Sequence, residues 1–159
     1  MEKEKRHIGF NKPYLTGKET EYILESVKSR KISGDGMFTK KCHDFFEKRY
    51  GFKKVLLTTS CTDALEMSAI LIDIKEGDEV IVPTFTYIAS VSSIVTAGAS
   101  PVFVDSLEDT WQADPEDIRK KITSRTKAIM AVHIYGHPCD MDEIKKITDE
   151  YNLFLIEDC

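Results

Sequence analysis

The sequence predicts an α/β fold: a largely parallel sheet with helices on both faces. Short apolar segments recur about every 25 residues, and amphipathic helical patterns separate them. That alternation is typical of βαβ units, and 42% apolar residues in 159 is ordinary for a globular chain. Residues 1–50 have a different pattern and predict a helical N-terminal arm. Residues 51–159 then form an incomplete α/β large domain, because the chain stops directly after an apolar segment.

The N-terminal arm is expected to contain two helices. Thr16 and Glu19 have the spacing of a capping box, which predicts a helix from there to about Arg30. Aromatic and apolar side chains at helical spacing predict a second helix that runs to about Tyr50. Gly51 follows it and favours helix termination, because glycine adopts the left-handed conformation readily.

The α/β part is expected to contain five strands and four helices. The strands are expected at residues 55–57, 79–82, 102–104, 128–132 and 153–156. Two helices are expected at residues 63–72 and 87–97. A third follows the N-cap Asp114 and has Pro115 in its first position, and a fourth runs from the capping box of Asp140 and Glu143 to about Tyr151.

Charge and composition argue against several classes of partner. The net charge of −5 provides no basic surface for nucleic acid or an anionic membrane. Residues 1–7 lack the apolar core of a signal peptide, and no apolar run reaches the ~20 residues that cross a bilayer. The four cysteines form no C-x-x-C pair, so reduced thiols in a cytoplasmic protein are expected.

Candidate ligand-binding residues follow the ends of three predicted strands, where open α/β sheets bind ligands. Hydroxyls after the first strand could bind a phosphate at a helix N-terminus, although spacing alone favours Ser60 or Thr62 as a simple cap. Phe85 and Tyr87 could stack on a flat ring or belong to a core or interface. Asp158 could hold a proton on a heterocyclic nitrogen or cap a following helix.

A metal site is the less favoured interpretation of one further cluster. His133, His137 and Cys139 are all potential zinc ligands. However, Pro138 and the residues before it form a turn, and no second pair of ligands follows. We therefore expect no metal here, and a loop that leads to the Asp140 cap.

Taken together, the strand-end motifs resemble the DegT/DnrJ/EryC1/StrS family of sugar aminotransferases. The matching stretches are SCTDAL at 60–65, GDEVIVP at 77–83, PVFVD at 101–105, TKAI at 126–129, VHIYG at 132–136 and IED at 156–158. Each stretch is weak alone, but their order and combination are specific. The wider family more often has glycine where this chain has Cys61, and a backbone N–H donor remains available either way.

The resemblance implies a large domain of a fold-type I aminotransferase that binds pyridoxal 5'-phosphate. Cys61 and Thr62 would bind the phosphate through backbone N–H groups and the threonine hydroxyl. Tyr87 would stack on the pyridine ring, and Asp158, ionised at neutral pH, would pair with the ring nitrogen. The family's Schiff-base lysine would lie beyond Cys159, as would the C-terminal domain. This chain would then contain no catalytic residue and be inactive alone.

The resemblance also implies a reaction and partners. The subgroup that matches best aminates C4 of a nucleotide-linked 4-keto-6-deoxy sugar, with glutamate as the expected amino donor, and a homodimer is expected. Two alternatives stay open. One is a dehydratase of the same family that uses the same cofactor, and the other is a non-catalytic phosphate-binding α/β module.

Overall fold

The computed structural model describes residues 9–159, so the expectation for residues 1–7 lies outside the described residues. The chain divides into two compact units, a first that ends at Leu57 and a second of Thr58–Cys159. Within the described range, no helix is both long and apolar enough to cross a bilayer.

The first unit contains helices α1 (Glu19–Lys28) and α2 (Met37–Tyr50). The predicted start of α1 at Thr16 is wrong, because Gly17 adopts a positive φ of 86° and turns the chain before the helix. The N–H and hydroxyl of Thr16 still donate to Glu19 Oε1, at 2.6 and 2.8 Å. The predicted termination by Gly51 is confirmed, since it is left-handed and donates to the Glu47 carbonyl at 3.0 Å.

The strand predicted at residues 55–57 is not formed. This segment is irregular, and two of its N–H groups donate to side chains instead of a neighbouring strand. Val55 donates to Glu47 Oε1 and Leu57 donates to His43 Nε2, both at 3.3 Å. The segment therefore pairs with no strand, and the sheet formed by residues 9–159 has four strands rather than the five predicted.

The second unit is built on a parallel sheet with the order β2-β1-β3-β4. Its strands are β1 (Glu79–Pro83), β2 (Ser100–Val104), β3 (Thr126–Val132) and β4 (Phe154–Asp158). Its helices are α3 (Cys61–Leu71), α4 (Ile88–Thr96), α5 (Pro115–Lys121) and α6 (Met141–Tyr151), and a 3-10 turn lies at Ile134–Gly136. The α/β prediction is confirmed, and each of these elements lies within a few residues of its predicted position.

Helices cover both faces of the sheet because successive side chains of the central strands point to opposite faces. Val80 and Val82 are buried with apolar residues of α3 and α4. Ile81 lies on the other face with residues of α5 and α6, including Ile118 and Ile144. Fully burying side chains of this size stabilises the fold by about 1.5–3 kcal/mol each. The sheet is thus buried between two apolar layers.

The order of the strands creates a crevice. The chain passes from β1 to β2 on one side, and β3 then pairs with the other side of β1. The segments that leave β1 and β3 therefore diverge at the carboxyl edge of the sheet, which is where open α/β sheets bind ligands.

Candidate functional site

A cavity of about 290 Å³ lies at this carboxyl edge. It is lined by the segments after β1 and β3, the end of β4 and the first turn of α3. All four residues predicted to bind a cofactor line it: Cys61, Thr62, Tyr87 and Asp158. Residues almost a hundred positions apart in the sequence thus share one concave surface.

The first turn of α3 has free backbone donors. Ser60 is the N-cap, and its hydroxyl accepts the N–H of Asp63 at 3.1 Å. The Ser60 carbonyl accepts the N–H of Ala64 at 3.2 Å. Among the described residues, the N–H groups of Cys61 and Thr62 have no hydrogen-bond partner, as expected at the start of a helix. The cap at Ser60 is therefore compatible with an anion site one residue later, at the positive end of the helix dipole.

Tyr87 lies at the N-cap position of α4 and is 74% exposed. Within the second unit it is therefore not a core aromatic. Phe85, two residues earlier, contacts the rings of Trp111 and Tyr135 edge-on, with centroids 5.0 and 6.2 Å away. Of the two aromatics considered from the sequence, Tyr87 is the one that lines this cavity.

Each oxygen of the Asp158 carboxylate contacts a hydrogen-bond donor. The Ser90 hydroxyl, in the first turn of α4, lies 2.6 Å from Asp158 Oδ2, and the Cys61 thiol lies 3.5 Å from Oδ1. Thr86 Oγ1 is 2.7 Å from Ser90 Oγ. Partial burial, followed by the negative charge of Asp158, raises the pKa of Cys61. The thiol thus keeps its proton at neutral pH and can donate to the carboxylate.

His133 lies on the cavity wall directly after β3. Its Nδ1 accepts the N–H of Cys139 at 3.1 Å, so a neutral ring carries its proton on Nε2. That nitrogen is 3.1 Å from Glu157 Oε2, to which it donates. The described residues contain no group of three or more His, Cys, Asp or Glu side chains arranged to hold a metal ion.

A second cavity, of about 430 Å³, adjoins the first and shares Ile134 and Tyr135 with it. Phe85 and Trp111 contribute aromatic walls, and His137 contributes a polar side chain. Trp111 and Tyr135 have positive φ angles of 64° and 54°. Such backbone conformations are costly for large side chains and tend to occur at functional sites.

The arrangement is complementary to a phosphorylated aromatic heterocycle. The first turn of α3 offers donors for an anion, Tyr87 offers a flat ring, and Asp158 offers a carboxylate to a protonated ring nitrogen. Sequence reasoning did not place Thr86 or Ser90 at this site, and it considered His133 only as a possible zinc ligand. No local sequence signal identifies Ser90, because its hydroxyl contacts a residue 68 positions later in the chain.

The chain is similar to known proteins along almost its whole length. Residues 13–159 match the DegT/DnrJ/EryC1/StrS aminotransferase family. GDP-perosamine synthase of Escherichia coli O157:H7 is 47% identical over 154 residues, covering 97% of this chain and 42% of the relative. The dTDP-3-amino-3,6-dideoxy-alpha-D-galactopyranose transaminase of Aneurinibacillus thermoaerophilus is 48% identical over 120 residues, covering 73% of this chain and 33% of the relative. The chain thus spans less than half the length of these relatives.

A solved structure shows the same relationship. The crystal structure of NtdA from Bacillus subtilis, with bound cofactor PMP, superposes with a TM-score of 0.80 at 29% identity. The match covers 98% of this chain and 38% of that protein. Because the family profile matches more than nine tenths of the sequence, this chain belongs to the DegT/DnrJ/EryC1/StrS aminotransferase family.

Proposed function

We propose that the whole protein is a pyridoxal-phosphate-dependent aminotransferase that transfers an amino group to a nucleotide-linked keto sugar. One observation carries the proposal: Cys61, Thr62, Tyr87 and Asp158 line a single cavity at the carboxyl edge of the sheet. These residues supply the three kinds of group that a phosphorylated pyridine requires, and family membership supports the same cofactor.

The residues present fit the cofactor. The free N–H groups of Cys61 and Thr62, with the Thr62 hydroxyl, would bind its phosphate. Tyr87 would stack on the ring, because the residue is exposed and lines the cavity. Asp158 would keep the ring nitrogen protonated through its negative charge. When bound, the cofactor supplies an electron sink for moving an amino group. The lysine that would hold it covalently is expected beyond Cys159.

For the substrate we propose C4 of a nucleotide-linked 4-keto-6-deoxy sugar, with glutamate as the amino donor. Both relatives described above are named for nucleotide sugars, which supports this substrate class. The adjoining cavity, with aromatic walls at Phe85 and Trp111, gives a bulky substrate room beside the cofactor. We also propose a homodimer, which light scattering of the whole protein would test.

The proposal is tested by incubating the whole protein with pyridoxal phosphate, glutamate and a nucleotide-linked 4-keto-6-deoxy sugar. We expect an amino sugar that depends on glutamate and carries nitrogen at C4, as seen by NMR of the purified product. Reactions without glutamate or without sugar are the controls. A deoxy product that has lost a hydroxyl would instead identify a dehydratase. Absence of any turnover with intact cofactor binding would refute the 4-keto-6-deoxy sugar as the substrate.

A further inference from the structure

We propose that Ser90 is a positioning residue for the cofactor site, because its hydroxyl fixes the orientation of the Asp158 carboxylate. This inference rests on the proposed function. Ser90 lies in the first turn of α4 and is fully buried. Its hydroxyl is 2.6 Å from Asp158 Oδ2, although the two residues are 68 positions apart. The contact joins the start of a helix to the end of β4.

The direction of each hydrogen bond follows from the chemistry of the groups. An ionised carboxylate only accepts hydrogen bonds, so the Ser90 hydroxyl must donate to Asp158. A hydroxyl has one proton, so Ser90 Oγ accepts from Thr86 Oγ1, 2.7 Å away. The result is a one-way chain from Thr86 through Ser90 to Asp158. The Cys61 thiol donates to the other carboxylate oxygen at 3.5 Å. Donors on both oxygens thus prevent the carboxylate from rotating freely.

Ser93 is the control residue, because it shares the burial of Ser90 but not its contact with Asp158. It is in the same helix and is as fully buried as Ser90. However, its hydroxyl donates to the Ser90 carbonyl at 2.9 Å, within its own helix. This is the ordinary way in which a buried helical serine satisfies its hydroxyl. The Ser90 hydroxyl instead donates outside its helix, to the carboxylate of Asp158 that lines the cavity. Burial alone therefore does not account for its contact.

The experiment compares Ser90→Ala, Ser90→Thr and Ser93→Ala in the whole protein. The first readout is the dissociation constant for pyridoxamine phosphate, which binds without a covalent bond. Loss of a hydrogen bond that orients a metal ligand typically weakens metal affinity about 10- to 100-fold. By analogy we expect Ser90→Ala to weaken binding about tenfold, at the low end of that range. Ser93→Ala should change binding less than twofold, and Ser90→Thr, which keeps the hydroxyl, should restore most of it.

Two further readouts distinguish positioning from lost stability. Ser90→Ala should alter the visible absorbance spectrum of bound pyridoxal phosphate. It should also lower kcat and leave KM for the sugar within about twofold of wild type, because a residue that stabilises only the transition state affects kcat. Ser93→Ala should leave spectrum and kcat unchanged, even if its melting temperature falls as much. If Ser90→Ala fails to fold, Ser90→Cys keeps the size with a weaker donor, and reduced affinity is again expected.

The outcomes separate this inference from the proposed function. If the wild-type protein binds the cofactor and transaminates, but the Ser90 variants behave like Ser93→Ala, only the positioning role is overturned. If the wild-type protein binds no pyridoxamine phosphate, the proposed function is overturned, and the role of Ser90 with it.

Discussion

Two neighbouring hydroxyls at the start of α3 should have separable roles. Ser60 caps the helix through a 3.1 Å bond from the Asp63 N–H. Thr62 is half-buried on the cavity and has no hydrogen-bond partner for its hydroxyl among the described residues. We therefore expect Ser60→Ala to reduce stability, and Thr62→Val to reduce cofactor affinity. Valine is the matched replacement for threonine because it preserves the β-branched shape and removes only the hydroxyl.

The sizes of the two effects follow from the bonds involved. Loss of a serine N-cap costs about 1 kcal/mol, which lowers the melting temperature by a few degrees. One hydroxyl bond to a phosphate contributes on the order of 1–2 kcal/mol. Thr62→Val should therefore weaken binding roughly 5- to 30-fold. The loss is limited because the N–H groups of Cys61 and Thr62 remain.

The assay measures melting temperature without cofactor, and dissociation constants for pyridoxamine phosphate and for pyridoxamine without phosphate. Thr62→Val should weaken binding of the phosphorylated compound alone, with the melting temperature nearly unchanged. Ser60→Ala should lower the melting temperature and have the smaller effect on binding. An equal loss for both compounds in Thr62→Val would show that its hydroxyl does not contact phosphate.

Three further predictions concern other groups. Asp158→Asn keeps the shape of the side chain but removes its charge, so turnover should fall about 10- to 100-fold, as for a lost charged hydrogen bond; near wild-type turnover would refute the role of Asp158. Tyr87→Ala should weaken cofactor binding while Tyr87→Phe has little effect, because phenylalanine keeps the stacking ring; equal affinities by fluorescence titration would contradict stacking. The buried Glu79 accepts from Thr123 and Arg125, and these bonds lower its pKa. Its stabilising effect should be complete above the ordinary glutamate range near pH 4.5 and be lost as pH falls through the lowered pKa, so thermal melts of Glu79→Gln should depend less on pH in that acidic range than those of wild type.

Local chemistry explains which parts of the fold could be predicted. The caps at Asp114 and Asp140 were found because each bond joins residues two or three positions apart. Tyr87 and Asp158 could be placed at one edge because strand ends meet there in a parallel sheet, whereas Cys61 and Thr62 follow the irregular segment 55–57 and were placed there by the family resemblance. The segment at 55–57 was misassigned because a short apolar run does not reveal whether a partner strand exists. The start of α1 was misplaced because the positive φ of Gly17 outweighs the capping spacing.

The contact between Ser90 and Asp158 could not be predicted from the sequence. Nothing local in the sequence links a helical serine to an aspartate 68 residues later. The link depends on strand order, which brings α4 beside the end of β4. Such a contact becomes visible only when the sheet is assembled.

The strand order also has a consequence for the kinetics of folding. Within the second unit, every pairing is between strands that are distant in the sequence, as with Glu79 opposite Ser100 and Thr126. Pairings of this kind form slowly, because long loops must close first. The groups around the cavity extend from Cys61 to Asp158, so they meet only after β4 has docked. A ligand that binds this site should therefore slow unfolding and leave the rate of folding almost unchanged. The reason is that the complete site exists in the native state and not in the transition state for folding.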